Sequence, residues 1–344
     1  MSPRAASLAG AVLAGVAPAW DGTDEDRVAA LALVRAADPA VGRQLLERVW
    51  YDEPAATRAA MVAGLGSGLS GQDEPFLEER LDDRRKEVRL AAAGLLARLP
   101  DSRYAGRMAA RARAGVRFSG RARAAWRFEP PAELDWAARR DGVTAAASQP
   151  DRWLLQVAGA AALSAWPDPE TLVPAAVRAG AVALVTAWTL AAERQRDVGW
   201  ARRLLAAGAP PTAGLLGVLP PAEAESFLLA WLDRAGLAGA DGVLTELPEP
   251  WTAAVTDAVM ASLAGLVASG DHGPPAAAVR AVLARFALAC DPRRVSSVAA
   301  VARTLEGLPD ARRPAARLFW GSAVTSLNAL VHFRQAMHQE FQEP

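Results

Sequence analysis

The feature that most constrains this chain is an internal repeat. The segment Leu46-Glu47-Arg48-Val49-Trp50-Tyr51-Asp52 returns 31 residues further on as Leu77-Glu78-Glu79-Arg80-Leu81-Asp82-Asp83. In that register Leu46 matches Leu77, Asp52 matches Asp83, Arg58 matches Arg89 and Leu65 matches Leu96. Self-similarity at such a spacing marks stacked supersecondary units, none of which can bury its apolar face alone. Each copy reads as a helix, a short turn carrying Asp, and a second helix. In the second helix Val88, Ala91, Ala92, Leu95, Leu96 and Leu99 recur at three- and four-residue steps, which is one apolar stripe of an α-helix. The earlier copy offers Thr57, Ala60, Met61, Gly64 and Leu65 at the same places.

The turn residues have a physical reading. Asp52 and Asp83 precede the second helices, where a carboxylate can accept from the unpaired N–H groups of the first turn. Arg58 and Arg89 follow six residues later, within reach of a carboxylate on their own or the adjacent repeat. Asp38-Pro39, Asp168-Pro169 and Asp291-Pro292 repeat this punctuation, and Thr23 with Asp26 forms a capping box. Beyond Met108 the helical pattern breaks. Val116 to Phe118 and Ala125 to Phe128 alternate around Ser119-Gly120, which predicts a small hairpin or extended loop. Helices are expected again at Trp153–Ala165, Leu172–Arg194, Trp200–Ala207, Ala222–Ala235, Trp251–Ser269, Ala276–Ala289 and Arg294–Glu306, with a long last helix over Phe319–Phe341. The expected organisation is 1–112 as N-terminal repeats, 113–150 as an arginine-rich connector and 151–344 as a C-terminal helical region. The expected fold class is all-α, an α-α superhelix of helix pairs with an irregular or hairpin insertion near 115–130.

Composition removes several function classes. Lys+Arg and Asp+Glu both number 38, so no global charge draws the chain to nucleic acid or to an anionic membrane. The single cysteine, Cys290, excludes an internal disulfide framework and lies in an apolar helical stretch where an inert buried thiol is expected. The uncharged run Ala5–Trp20 imitates a signal peptide only loosely, and the longest later uncharged run, Leu204–Ala222, is broken by four prolines. The expectation is a cytoplasmic protein without a membrane segment.

Candidate chemistry is sparse. Gly66-Ser67-Gly68-Leu69-Ser70-Gly71 fits a dinucleotide fingerprint, but a helix precedes it where a strand is required. It reads as an inter-repeat loop, with Asp73 capping the next helix. Lys86 is the only lysine and follows Arg84-Arg85, so a phosphate-binding Walker loop is missing. His272, His332 and His338 have no cysteine cluster and no metal-ligand spacing, and no nucleophile elbow occurs. No catalytic residue, metal or cofactor is expected. The positive anomaly is a run of eight arginines without an intervening acid: Arg103, Arg107, Arg111, Arg113, Arg117, Arg121, Arg123 and Arg127. Phe118, Trp126 and Phe128 interleave with them, a composition suited to phosphates and stacked bases or to an acidic protein. The alternative is an arginine surface paired with acids from elsewhere in the chain. Eleven tryptophans, among them Trp153, Trp166, Trp188, Trp200, Trp231 and Trp251, are expected mainly to pack between helix layers.

Asp83, Val88 and Arg89 resemble the HEAT repeat at its most specific positions. The stretch from Ala36 to Met108, with the signature Asp73 to Arg89 followed by Leu96-Ala97-Arg98-Leu99-Pro100, is similar to an uncharacterised bacterial family of Ala-rich helical proteins. Arg140-Asp141-Gly142-Val143, Asp197–Leu205 and Phe333–Glu340 extend that resemblance along the chain. It implies relatives with a longer N-terminal region and genes near SWIM zinc-finger, MoxR-type AAA ATPase and von Willebrand A-domain proteins. The expectation is therefore a non-enzymatic scaffold or adaptor for protein partners, with an AAA ATPase system as the neighbourhood the resemblance implies. Nucleic-acid binding through 102–128 is the second reading, and an enzyme of unrecognised chemistry the third.

Overall fold

A computed structural model describes residues 22–119, 125–237, 240–269 and 276–294, with isolated positions 15, 329, 333 and 336. Sixteen α-helices, three 3₁₀ turns and one two-stranded sheet occur among the described residues, so the fold is all-α. The chain divides into two compact units, Met1–Arg203 and Leu204–Pro344.

The first unit opens with α1 (Asp24–Ala37), α2 (Pro39–Val49), α3 (Ala55–Gly64), α4 (Glu74–Arg80) and α5 (Lys86–Leu96). Helix α1 packs against α2 and α3, α3 against α5, and α5 against α4, so successive second helices stack on one another. Their contact faces carry the expected stripe. Thr57, Met61 and Leu65 on α3 and Val88, Ala92, Leu95 and Leu96 on α5 are buried, whereas Ala60 is exposed. Burying each large aliphatic side chain contributes about 1.5–3 kcal/mol.

The caps fall into two groups. Thr23 and Asp26 form the capping box of α1, and Asp38 accepts from Ala40 N and Val41 N at the start of α2. The Asp52 and Asp83 expectation fails. Helix α3 has Pro54 at its N-cap and no side-chain cap, and α5 has none either. The Asp83 carboxylate accepts instead from Arg85 N at 2.8 Å, ahead of the helix, because the turn places the acid too early to reach its N–H groups. Arg58 Nη1 stands 3.4 Å from Asp83 Oδ2 in the next repeat, and Arg89 donates to the Asp83 carbonyl.

The glycine-rich loop folds around a buried arginine. Arg35 and Asp73 are both fully buried. Arg35 spends all five N–H donors: Nε on Ser67 O, Nη1 on Pro39 O and Asp73 Oδ1, Nη2 on Leu65 O and Asp73 Oδ2. Asp73 also accepts from Arg43 Nη1 and Ser70 N. Its carboxylate therefore does not cap α4, as the sequence led us to expect; the arginines claim it. Gly68 has φ +62°, and a Cβ there would stand 2.5 Å from Pro39 Cγ. Only glycine lets the loop turn its carbonyls toward Arg35.

Helix α6 (Arg103–Gly115) leads into the hairpin β1 (Val116–Ser119) and β2 (Ala125–Phe128), paired antiparallel with Val116 opposite Phe128 and Phe118 opposite Trp126. Then come α7 (Trp136–Arg140), α8 (Pro150–Ala158), α9 (Pro169–Arg178) and α10 (Val182–Gln195). The single helix expected over Leu172–Arg194 is thus two, split at Gly180 with φ +66°. Asp168 caps α9 through Thr171 N. Helix α6 packs on α8, and α8 on α10. Trp188 centres an aromatic cluster, with ring centroids 5.3 Å from Trp166, 5.5 Å from Trp200 and 5.8 Å from Trp126. The indole N–H groups of Trp126, Trp166 and Trp188 have no acceptor, so packing alone holds these rings.

Helix α11 (Val198–Ala206) carries the boundary between the units. The second unit contains α12 (Ala213–Leu216), α13 (Pro221–Ala235), α14 (Asp241–Glu246), α15 (Ala253–Ser269) and α16 (Ala276–Ala289). Helix α13 packs on α15 and α14 on α16, again two places on. Trp251, Phe286 and Cys290 are buried there, and Asp291 accepts from Arg293 N. The expected helices over Arg294–Glu306 and Phe319–Phe341 lie outside the described residues, apart from isolated positions in the latter.

Candidate functional site

The arginine-rich segment begins on α6. Ser102 caps this helix by accepting from Ala105 N, and Tyr104, Ala105, Met108, Ala109 and Ala112 form its buried face. Arg103, Arg107 and Arg111 follow one another at four-residue steps along the border of that face. Each meets acids brought in by other elements. Glu74 at the start of α4 accepts from Arg103 N and Arg103 Nε at 2.9 and 3.1 Å. Glu78, one turn later, accepts from Arg107 Nη2 at 3.0 Å.

The hub is Asp141. Helix α7 is only five residues long, capped by Asp135 through Ala138 N, and Gly142 with φ +85° turns the chain immediately after it. This short element delivers Arg140 outward and Asp141 inward. Asp141 is buried and accepts from Arg107 Nε at 2.9 Å, Arg107 Nη2 at 2.8 Å and Arg111 Nη1 at 2.7 Å. Arg140 grips Asp82 in a bidentate pair at 2.7 and 2.8 Å and donates to the Glu78 carbonyl. Three arginines and three carboxylates thus close one network across α4, α6 and α7. Charge-assisted, bidentate bonds of this kind are the strong ones, and those in contact with solvent contribute least.

The electrostatics follow the geometry. Burial alone would raise the Asp141 carboxyl, but the hydrogen bonds and charges of Arg107 and Arg111 outweigh it and hold it below the usual carboxylate value. The Arg140 hydrogen bond lowers Asp82. Burial, with the Asp141 charge added, pushes the Tyr104 phenol far above its ordinary range, so it remains a neutral donor to the Asp141 carbonyl.

The rest of the arginine run is different. Arg113, Arg117 and Arg127 are exposed; Arg117 lies 4.0 Å from Glu129 and donates to the Arg113 carbonyl. Arg121 and Arg123 lie outside the described residues. Phe118 and Trp126 stack on each other at 4.5 Å, and Trp126 is turned toward Trp188, so this aromatic pair is engaged within the fold.

Beside the network is a cavity of about 350 Å³ that the sequence reading did not anticipate. Its apolar lining comes from Leu90, Ala93 and Ala97 on α5, Met108 on α6, Leu155 on α8 and Leu190 on α10. Tyr104 and Asp141 reach it from the network, and Arg152, Gln156 and Arg194 contribute polar groups. The small residues of the α5 stripe open the space, since Ala93, Gly94 and Ala97 stand where larger side chains would fill it. No group of three or more His, Cys, Asp and Glu side chains able to hold a metal occurs among the described residues. No helix among them is long and apolar enough to cross a membrane.

These features define a class: an all-α protein of packed helix pairs, with an internally paired arginine cluster and a small half-open cavity beside it. The chain belongs to a family of unknown function (DUF5691), whose sequence profile matches residues 5–341. No curated protein and no solved structure matches the chain.

Proposed function

We propose that this protein is a non-enzymatic, HEAT-like helical-repeat adaptor that binds protein partners in the cytoplasm. The observation that carries this reading is the pairing of Arg107, Arg111 and Arg140 with Glu78, Asp82 and Asp141. It removes the core of the arginine run from the charge available to a polyanion. A nucleic-acid interface needs guanidinium groups whose counterions are exchangeable, not carboxylates fixed 2.7–3.0 Å away. What remains is a set of stacked helices in which second helices contact one another directly and Arg58 bridges to the following repeat, an arrangement that supports an α-α superhelix. Resemblance to proteins encoded beside MoxR-type AAA ATPases makes such an ATPase the first partner to test.

The experiment is capture on the immobilised full chain, using the purified neighbouring ATPase and, separately, a mixed-sequence oligonucleotide, with nuclease and salt varied. The adaptor reading expects saturable ATPase binding that survives nuclease and moderate salt. Oligonucleotide binding in the micromolar range, lost steeply as salt rises and on reversal of Arg113, Arg117 and Arg127, would replace it with the nucleic-acid reading.

A further inference from the structure

The geometry points to the cavity between α5, α6, α8 and α10 as a binding site for a small organic anion, a carboxylate or sulfonate on an apolar body. This inference does not depend on the adaptor reading.

Three observations carry it. First, the cavity has the size and composition of a small-molecule site: about 350 Å³, mostly apolar, with a few polar groups converging on it. Leu90 is half exposed at its edge, an apolar surface left for a ligand to cover. Second, its cations are not neutralised. Arg194 donates to the Gly159 carbonyl and Arg152 to the Gln149 side chain, and neither has a carboxylate partner among the described residues. This contrasts with Arg107, Arg111 and Arg140, which are paired with carboxylates. Third, the one acid that lines the cavity is spent. Asp141 already accepts three N–H donors from two guanidinium groups, so it does not cancel Arg152 and Arg194. Tyr104, Arg152, Gln156 and Arg194 supply the polar part of the lining. An anion there meets a planar donor fork suited to a carboxylate, while its apolar body covers Leu90, Leu155 and Leu190.

The test uses 2-naphthoate against its neutral isostere 2-naphthamide, with binding to the full chain followed by ligand-observed NMR and equilibrium dialysis. Naphthoate is expected to bind at least about tenfold tighter than the amide, since one charge-assisted pair separates them. Two variants keep the result independent of folding. In Gly94→Leu the new side chain starts from a position where a Cβ meets no atom within 4 Å, so the helix accepts it while the cavity fills. In Arg152→Glu/Arg194→Gln the cavity remains, but its two cations give way to one acid and one neutral amide. Both are expected to keep wild-type circular dichroism and to weaken naphthoate binding about tenfold or more. No binding at millimolar naphthoate, equal binding of acid and amide, or undiminished binding in the folded Gly94→Leu variant would overturn the assignment.

Discussion

Asp141 shows how one buried carboxylate ties two arginines of a basic run into the fold. Its carboxylate holds Arg107 and Arg111, and its ionised form is favoured by folding. A group whose folded pKa is depressed contributes stability that is fully present above its unfolded value and is lost as pH falls through the folded one. We therefore expect part of the acid destabilisation below about pH 4 to come from Asp141. Asp141→Asn should be less stable than wild type at neutral pH by about 2 kcal/mol, and its stability should fall less steeply between about pH 5 and about pH 2, as read by urea titrations across that range. Arg35 makes the same point in the core. Arg35→Met leaves the buried Asp73 carboxylate with only Arg43 and Ser70 N as donors, and a loss of about 3 kcal/mol in urea unfolding is expected. Neither role was legible in sequence, because the partners lie 30–38 residues apart, outside any local pattern. The one signal was Arg140-Asp141-Gly142, whose short helix and left-handed glycine now explain why those residue types stand together.

At the scale of elements, the helices that stack in the first repeats were readable because their apolar stripe is periodic. The hairpin was readable because Val116–Phe118 and Ala125–Phe128 alternate. The break between α9 and α10 was missed, since an unbroken Ala-rich run hides a turn that only Gly180 marks. Packing at the α6 exit was also invisible. A Cβ on Gly115 would collide with the Trp153 ring and stand 2.9 Å from the Glu129 carbonyl. Gly115→Ala is expected to destabilise by about 1–3 kcal/mol through this overpacking. Gly106→Ala, on the same helix with nothing within 4 Å of its Cβ, is expected to stabilise by about 0.5–1 kcal/mol. Thermal unfolding of the two variants side by side separates helix propensity from packing. Trp126→Ala should release the hairpin from Trp188, and limited proteolysis should then cut between residues 116 and 128 at concentrations that spare the wild type.

At the scale of the molecule, Met1–Arg203 and Leu204–Pro344 are each held by helices that pack on the helix two places on. That connectivity and the 31-residue repeat offset support the proposed reading of the chain as a helical-repeat protein. Charge balance alone did not distinguish a basic interface from an internal ionic frame, because equal numbers of acids and bases are compatible with both. The distances from Arg107 to Glu78 and Asp141 put that arginine in an ionic frame, of which the exposed Arg113, Arg117 and Arg127 are not part. The most direct measurement is segment-resolved hydrogen exchange on Arg107→Ala. If the arginines of α6 hold α4 and α7 in place, the amides of residues 74–82, 103–115 and 136–143 lose about 2 kcal/mol of protection, roughly a thirtyfold faster exchange. Wild-type protection in all three segments would contradict the account and return Arg107 to the surface as a cation available to a partner.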